Sequence, residues 1–480
     1  MENKYILGLI LFVGLSLSSL ELHAQDVWSL EQCIARGLER NLDIQRSVFN
    51  RDISEVNLKQ GQFARLPNLN GGVTHGYNWG QTIDPFTNEF ASDRVRNNNL
   101  FLQSSVTLFN GFQIHNSIEQ AKIDLQATEL DMVRAQNDAS LLIAQSYLDV
   151  LFSKEQLKAI EQQVTISERQ VQRMERMVEV GQEALSSLYD VQSQLAADQF
   201  TFTQAENSVA IAKLRLANLI LLDAQETENF EIEAPSEEVL GREKQLFTVS
   251  EIYTQSITAL PEVKAAELRT ASSEKGLSVA KGTRSPTLSL QGSVGSGYSG
   301  NNLVPVGSPI LGLETIGVVQ SSQELVVAPN VDFESFETKD LGEQLDDNFN
   351  QSLSFRLDIP IFNRYNTNSD ISRAKINNDL IRLNEQDTRN RLLQDVQQAH
   401  ADATASSRNN EAAELALAAM QLNFDNAEKR FDQEMISTVD FNDAKSRLAQ
   451  AEIDAIRAKY EYVFRMIIID YYMGNSINLN

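Results

Sequence analysis

The chain has 480 residues, with 41 Lys and Arg residues against 66 Asp and Glu residues, so its formal net charge at pH 7 is -25. Nucleic-acid binding depends on clustered basic residues, so this acidic balance argues against nucleic acid as a partner. One cysteine excludes a disulfide framework or a zinc ribbon, and with only four histidines we predict no catalytic site, no cofactor and no metal site.

Residues 1–24 are predicted to form a secretory signal peptide. Lys4 precedes an apolar stretch from Ile6 to Leu20, and a small-residue stop ends at Ala24. The alternative is a membrane anchor, but a spanning helix needs about 20 apolar residues, more than this stretch provides. We therefore expect the mature chain, from residue 25, to leave the cytoplasm and to contain no transmembrane helix.

Residues 68–110 are predicted to contain two strands, because apolar and polar residues alternate within them. The apolar positions are Leu69, Val73, Tyr77 and Trp79 in the first strand and Leu100, Leu102, Val106 and Leu108 in the second. A strand with one apolar and one polar face is typical of a membrane barrel, although a single one occurs more often in a soluble sandwich.

Residues 111–221 are predicted to form a long helical hairpin. The segments 112–180 and 182–234 contain neither Gly nor Pro and are rich in residues that favour helix. Apolar residues recur at intervals of seven, as in a coiled coil: Ile143, Val150, Leu157, Val164, Val171 and Val178. A helix through the whole first segment would be about 100 Å long. The alternative is an ordinary coiled-coil scaffold, which periodicity alone does not exclude.

Residues 222–250 are predicted to be a linker rich in glutamate. We expect it to form an equatorial collar outside the helices, or otherwise a solvated acidic loop.

The remaining residues, 251–480, repeat the first half. Motifs around Arg65 and Pro67 recur 219 residues later at Arg284 and Pro286, and motifs from Phe109 to Ala196 recur 253 residues later. The first repeat is therefore assigned to 25–221 and the second to 251–480, and each is predicted to consist of a helix, a strand pair and a long helical hairpin.

The second repeat is predicted to contain a strand pair within 286–361 and a helical hairpin over 364–474. Its strands have these apolar residues: Leu288, Leu290, Val294 and Tyr298, then Phe349, Leu353, Phe355, Leu357, Ile359 and Ile361. Its helical seam is Leu392, Ala399, Ser406, Ala413, Met420 and Ala427. The connection 299–347 is longer than its counterpart and carries nine carboxylates against Lys339. We expect a solvated loop, or alternatively a lid or a Ca²⁺-binding segment.

Four amphipathic strands cannot close a barrel alone, and lipid does not tolerate open sheet edges. Two copies of the chain would supply eight strands and three would supply twelve. A ring of eight is filled by side chains, whereas a larger ring holds water. The polar strand faces favour three copies, with the apolar faces toward outer-membrane lipid.

The layout of strand pair and helical hairpin, repeated once, resembles the TolC-like outer-membrane efflux proteins. The resemblance rests on Arg65-Leu66-Pro67, Arg284-Ser285-Pro286, Val180-Gly181 and the segment from Ile436 to Asp443, and it covers residues 26 to 475. It implies a mixed membrane α/β fold: a trimeric twelve-stranded β-barrel in the outer membrane, continued by a coiled-coil α-helical tunnel through the periplasm.

The same resemblance implies that the chain is not an enzyme. It implies a passive exit duct of a tripartite efflux or type I secretion system, served by a periplasmic adaptor and an inner-membrane pump. No Gly-Lys dipeptide occurs, so the chain has no phosphate-binding P-loop and energy must come from a partner. The alternative is a secreted structural coiled coil or a trimeric adhesin, which the four amphipathic strands argue against.

The hairpin tips are the predicted adaptor-docking sites. They contain Val180 and Gly181 in the first hairpin and Glu434 and Met435 in the second. Glu434 takes the position of Gly181 and cannot adopt a positive φ as easily as glycine, so we expect the tips to bind unequally.

The resemblance also implies a periplasmic gate. The positions that match its acidic residues are Asp440 and Asp443, and the prediction includes Ile436 and Phe431 beside them. The two carboxylates lie one turn apart on a helix, so three copies would form two acidic rings. Alternatively, both are helix N-terminal carboxylates that the macrodipole favours.

Overall fold

The computed structural model describes residues 27–91, 94–235, 247–433 and 435–477. The predicted signal peptide, residues 236–246 of the predicted linker, and Glu434 lie outside the described residues.

Ten helices lie within the described ranges. They are α1 (Leu30–Arg40), α2 (Leu42–Phe63), α3 (Gln113–Glu179), α4 (Leu185–Leu219), α5 (Ala224–Glu228), α6 (Val249–Ala259), α7 (Pro261–Gly282), α8 (Leu341–Asp347), α9 (Asn366–Asp432) and α10 (Thr438–Tyr472). None of the described helices is both long enough and apolar enough to cross a bilayer.

Corresponding helices of the two halves have equal lengths. Helices α1 and α6 have 11 residues, α2 and α7 have 22, α3 and α9 have 67, and α4 and α10 have 35. Helix α6 starts 219 residues after α1 (249 against 30), and α9 starts 253 residues after α3 (366 against 113). These are the offsets that relate the sequence motifs.

The seams predicted from the seven-residue spacing face away from solvent in the long helices. All twelve seam residues are buried or half-buried. Ile143 lies in a core with residues of α1, α4 and α10, and Leu392 lies in a second core with residues of α6 and α10. The coiled-coil pattern is therefore confirmed as the packing surface of the helices.

Twelve strands lie within the described ranges. They are β1 (Val27–Trp28), β2 (Asn70–Asn78), β3 (Thr82–Ile83), β4 (Phe90–Ala91), β5 (Val95–Phe109), β6 (Glu231–Ile232), β7 (Thr287–Ser299), β8 (Leu303–Val306), β9 (Ile310–Val318), β10 (Leu325–Asp332), β11 (Ser335–Thr338) and β12 (Asn350–Asp358). The four strands predicted from alternation form one antiparallel sheet, in the order β12, β7, β5, β2. We call it the main sheet.

The main sheet has one apolar and one polar face, because its register aligns the alternating residues. Leu102 of β5 lies opposite Gly71 of β2 and Val294 of β7, and Leu290 of β7 lies opposite Phe355 of β12. The opposite face carries mainly Ser, Asn, Gln, Thr and Gly. The polar groove on this face is lined by Asn68, Asn70, Gln103, Ser104, Ser105, Gln291, Gly292, Ser293, Ser352 and Ser354.

The two strand pairs share one register. Gly71 pairs with Leu102, and the residues 219 and 253 positions later, Leu290 and Phe355, also pair. The two halves therefore match in the pairing of their strands as well as in the lengths of their helices.

The described part of the predicted linker packs on the helices. Strand β6 pairs with β1 in parallel, and Phe230 and Ile232 enter the core around Tyr147. Glu231 accepts hydrogen bonds from Lys154, at 2.8 Å, and from Lys213. Burial raises the pKa of Glu231, but these two lysines lower it more, so the net pKa is below its usual value. This part is a packed element and not a freely solvated loop.

The long connection 299–347 contains structure that the sequence did not predict. Strands β8 and β11 pair to form a stem, and β9 and β10 pair beyond it. We call β9 and β10 the outer hairpin. Among the described residues, no three His, Cys, Asp or Glu side chains are grouped to hold a metal ion. The connection is mostly exposed, as expected of a solvated loop, but its strands were not predicted, because they alternate only weakly and contain Gly and Pro.

The chain forms two compact units. Among the described residues, one unit contains the main sheet and lies within 56–122 and 272–378; the other lies within 27–55, 123–271 and 379–477. This division differs from the predicted domain boundaries, 25–221 and 251–480, and those boundaries stay a prediction.

Candidate functional site

The tip of the first hairpin is closed by a glycine. Helix α3 ends at Glu179, and Gly181 follows with φ +75°, a conformation that residues with a Cβ rarely adopt. The amide of Gln182 donates to the carbonyl of Met177 at 2.9 Å, so the last turn of α3 is closed in the manner of a Schellman motif. Val180 is exposed beside this turn.

The second tip is closed by the equivalent bond. The amide of Met435 donates to the carbonyl of Arg430 at 2.8 Å, and these residues lie 253 positions after Gln182 and Met177. Met435 is exposed. Glu434, the predicted counterpart of Gly181, lies outside the described residues, so the prediction of unequal docking stays a prediction.

The predicted gate carboxylates lie on the first two turns of α10. Ser437 is the N-cap, and its hydroxyl accepts from the amide of Asp440 at 3.2 Å while the Asp440 carboxylate accepts from the Ser437 hydroxyl at 2.8 Å. Asp443 pairs with Arg447 at 2.9 Å. Both carboxylates are exposed. Asp440 thus caps the start of α10, in keeping with the alternative hypothesis of a helix N-terminal carboxylate. Its role in a gate stays a prediction.

Phe431 and Ile436 belong to an apolar cluster beneath the second tip. The rings of Phe431 and Phe441 stack with centroids 4.6 Å apart, and Phe424 packs on Phe441 at 5.5 Å. Ile436 contacts the same cluster from the turn between α9 and α10. The structure therefore separates the four predicted gate residues into two exposed carboxylates and two packed apolar side chains.

Arg173 links the first hairpin to the second, and the sequence analysis missed it. Its guanidinium lies over the ring of Phe431, 4.8 Å from the centroid, donates to the Phe431 carbonyl at 3.1 Å and pairs with Asp432. Its signal was an arginine between the buried residues Val171 and Met174 of α3. The partners, however, lie 258 and 259 residues away.

A buried polar network joins α10 to α3 and α4 further along the hairpins. Lys445 is only 3% exposed and donates to the carboxylate of Asp198, at 2.5 Å, and to the hydroxyl of Ser167. Ser167 also donates to Asp198, as does Gln194 at 2.9 Å. In the sequence, this network is indicated only by the position of Lys445 on the same helix face as the apolar residues Phe441, Ala444 and Leu448.

A cleft of about 570 Å³ lies between the two tips. Its lining comprises Arg173, Met174, Met177, Gln182, Glu183, Ser187, Asp190, Phe431, Ile436, Ser437, Thr438 and Val439. Methionine side chains and exposed apolar residues beside charged groups suit a protein partner better than a small-molecule reaction.

Comparison with known proteins identifies the family. A family model described as outer membrane efflux protein matches residues 34–220 and 252–474. The chain belongs to the outer membrane efflux protein family. The match covers both halves and omits residues 1–33, 221–251 and 475–480.

Known relatives agree with this assignment. Outer membrane protein TolC of Salmonella enteritidis is 22% identical over 196 residues, which are 38% of this chain and 40% of that protein. The aligned part therefore spans less than half of the relative.

Solved structures show the same fold over nearly the whole chain. The CmeC outer membrane channel of Campylobacter jejuni has a TM-score of 0.74 at 15% identity, over 94% of this chain and 86% of that one. The outer membrane protein VceC of Vibrio cholerae has a TM-score of 0.72 at 13% identity, over 93% and 96%. As a member of this family the chain is an outer membrane efflux protein and not an enzyme. The predicted family, the outer-membrane location and the non-enzymatic class are confirmed.

Proposed function

We propose that the chain is the exit duct of a tripartite efflux or type I secretion system. In this role it conducts substrate passively from a periplasmic adaptor and an inner-membrane pump to the exterior. The proposal further holds that three copies close a twelve-stranded barrel in outer-membrane lipid and continue it as a helical tunnel. Family membership favours this duct over a structural coiled coil or an adhesin.

The main sheet carries the proposal. Among the described strands, β2 and β12 each pair with one neighbour only, and the sheet has one apolar face. In lipid each unpaired backbone group costs several kcal/mol, so edges must be closed by other strands. The polar face of the sheet suits a water-filled lumen, which twelve strands enclose and eight do not.

The two sequence offsets specify how the edges of neighbouring copies should pair. Inside the chain, Ser104 of β5 lies opposite Gly292 of β7. The residue 253 positions after Ser104 is Leu357 on β12, and the residue 219 positions before Gly292 is Val73 on β2. If the same register joins the copies, Leu357 of one copy lies opposite Val73 of the next.

Helices next to both edges support the same contact. Helix α2 leads into β2, and α9 follows β12. Both expose apolar residues at helical spacing: Leu42, Phe49, Val56 and Phe63 on α2, and Ile376, Leu380 and Leu383 on α9. A copy that pairs β12 with β2 of its neighbour also brings its α9 toward the neighbour's α2, which covers both stripes.

A disulfide experiment tests the assembly. The variant Val73→Cys with Leu357→Cys should form a covalent trimer on oxidation in outer membranes, because residues directly opposite on paired strands have Cβ atoms about 5 Å apart. Thr74→Cys with Leu357→Cys is the matched control, since Thr74 lies on the other face. The parental Cys33 is fully buried, and burial raises the pKa of its thiol to about 12, so it stays unreactive.

Two results would contradict the proposed assembly. One is a monomeric or dimeric mass for the detergent-solubilised protein. The other is equal crosslinking of the two double variants while the solubilised mass remains trimeric, which would reject the register but keep the trimer.

The tips are the proposed adaptor contact. Val180 and Met435 are exposed apolar residues at turns, and the cleft between the hairpins lies beside them. A partner helix that fills this cleft would bury them. Co-purification of an adaptor and a pump with the intact chain, and its loss on changing the tips, tests the partners.

The proposed gate consists of Asp440 and Asp443, with Ile436 and Phe431 holding the turn that carries them. Threefold symmetry would place six carboxylates at the entrance, a favourable site for multivalent cations. In planar bilayers, Asp440→Asn with Asp443→Asn should abolish block by trivalent cations. Block that persists in intact trimers would place the cation site elsewhere.

A further inference from the structure

The outer hairpin distinguishes the second strand pair from the first. The connection between β2 and β5 contains only the two-residue strands β3 and β4 among its described residues, whereas β9 and β10 have nine and eight residues. The outer hairpin lies at the end of the main sheet away from the strand ends that join helices α7 and α9.

One face of the outer hairpin is apolar and has no partner among the described residues. Leu311 pairs with Val331, and Leu313 with Pro329, so these four side chains share a face. Leu311 is 78% exposed and Leu313 is 74% exposed. The opposite face pairs Ile310 with Asp332, Gly312 with Asn330 and Glu314 with Ala328, and is mostly polar. An apolar strip of this kind in water marks an interaction surface.

The base of the outer hairpin is fixed to the main sheet. Gln344 is fully buried, accepts from the amide of Ser299 at 2.9 Å and donates to the carbonyls of Ser299 and Lys339. Asn348 donates to the carbonyl of Gly297 at 2.8 Å. These bonds hold both ends of the connection at the end of β7, so the hairpin has a defined root.

The chemistry of the segment argues against a lipid surface as the partner. Residues 299–347 carry nine carboxylates and one lysine, and residues 307–332 contain no aromatic side chain. Elements that lie on membranes combine Lys and Arg with Trp or Phe, because they contact anionic headgroups and the acyl boundary. The outer hairpin has the opposite charge and only aliphatic residues.

Strand addition along β10 is also disfavoured. Pro329 lies within β10 and lacks a backbone N–H, so it interrupts any ladder that a further strand would form along that strand. The exposed apolar side chains lie on the face of the hairpin, which favours a contact through that face.

We propose that the outer hairpin is a contact between copies of this chain, in which the face of Leu311, Leu313, Pro329 and Val331 packs against the same face of the neighbouring copies. The inference rests on the proposed trimer. Barrel closure through β2 and β12 arranges three outer hairpins around one axis, with their roots on one rim. Each apolar face then contacts the same face of the neighbouring copies. The opposite face, which carries Glu314 and Asp332, points to solvent.

A crosslinking experiment on the full-length protein in outer membranes tests the contact. Leu313→Cys, treated with a short bifunctional maleimide, should give a covalently linked pair of chains. Glu314→Cys is the matched control, because it is the adjacent residue on the opposite face and should give several-fold less. The parental chain with its buried Cys33 is the blank. Both positions are exposed, so neither change disturbs a core.

The mass of each solubilised variant separates the two proposals. A trimeric mass with equal or absent crosslinking in both variants overturns the hairpin contact and leaves the trimer standing. A monomeric mass overturns both. Vesicles of neutral and anionic lipid give a second readout: a fluorophore on Leu313→Cys whose emission shifts on adding vesicles to the solubilised trimer would assign the face to lipid and contradict the proposal.

Discussion

The two helical hairpins have the same lengths, yet their tips are held in different ways. In the first, α4 begins after Ala184, which has no side-chain oxygen to cap a helix. In the second, Ser437 and Asp440 form a capping box at the equivalent positions. The second tip is also tied by Arg173 to the first hairpin, and α10 by Lys445 to α3 and α4.

The buried network makes the difference clearest. The positions that correspond to Lys445, Asp198 and Ser167 at the 253 offset are Gln192, Ala451 and Met420. None of these can reproduce the ion pair. Equal helix length therefore does not imply equal side-chain roles: α10 supplies the buried cation Lys445, whereas α4 supplies the carboxylate of Asp198 and has the uncharged Gln192 at the position of Lys445.

Removal of the buried cation should have the largest effect. Lys445→Met leaves the Asp198 carboxylate buried without its counter-ion, which we expect to cost about 3–5 kcal/mol of unfolding free energy. Replacing both residues, as Lys445→Met with Asp198→Leu, should recover most of the loss. Denaturant unfolding of the solubilised protein measures this. Gln192→Met, the exposed equivalent in α4, is the control, and a similar loss there would show that the network is not special.

Loss of the Arg173 link should free only the second tip. Arg173→Ala removes the contact with the Phe431 ring and the hydrogen bond to its carbonyl, together worth about 2 kcal/mol. Hydrogen exchange should rise in residues 431–441 and stay unchanged in 178–188. Equal protection of the second tip before and after the change would contradict the link.

Gly181 should matter more for binding than for folding. A Cβ at Gly181 meets no atom within 4 Å, so Gly181→Glu incurs only the strain of a positive φ, roughly 1–2 kcal/mol. We expect Gly181→Glu to weaken adaptor crosslinking more than Glu434→Gly does, because a partner backbone approaches glycine more closely. Equal and negligible effects of both changes would show that the tips do not differ in docking.

Exchange of the caps should give the smallest effect and act in opposite directions at the two tips. Ser437→Ala should destabilise the start of α10 by about 1 kcal/mol, and Ala184→Ser should stabilise the start of α4 by a similar amount. Ala184 has the extended backbone that an N-cap requires, with φ -79° and ψ 149°. Hydrogen exchange of the first turn of each helix reports the change, and a loss of protection in α4 would contradict the expectation.

Sequence alone determined the helices, the four strands of the main sheet and the matching halves. These features follow from local rules: absence of Gly and Pro, spacing of seven along Ile143, Val150 and Leu157, and alternation in β2, β5, β7 and β12. The same rules failed for the outer hairpin, where Gly312, Gly317 and Pro329 hide the strands.

Tertiary structure decided how the tips are held and where the charges are used. Arg173 and Phe431, and likewise Lys445 and Ser167, are more than 250 residues apart in sequence, and they meet only because helices from different hairpins pack side by side. Spacing along one helix identifies a buried face but not the residue that will lie opposite it. For that reason the periodicity predicted which surfaces pack, and only the packed helices showed which buried charges are paired.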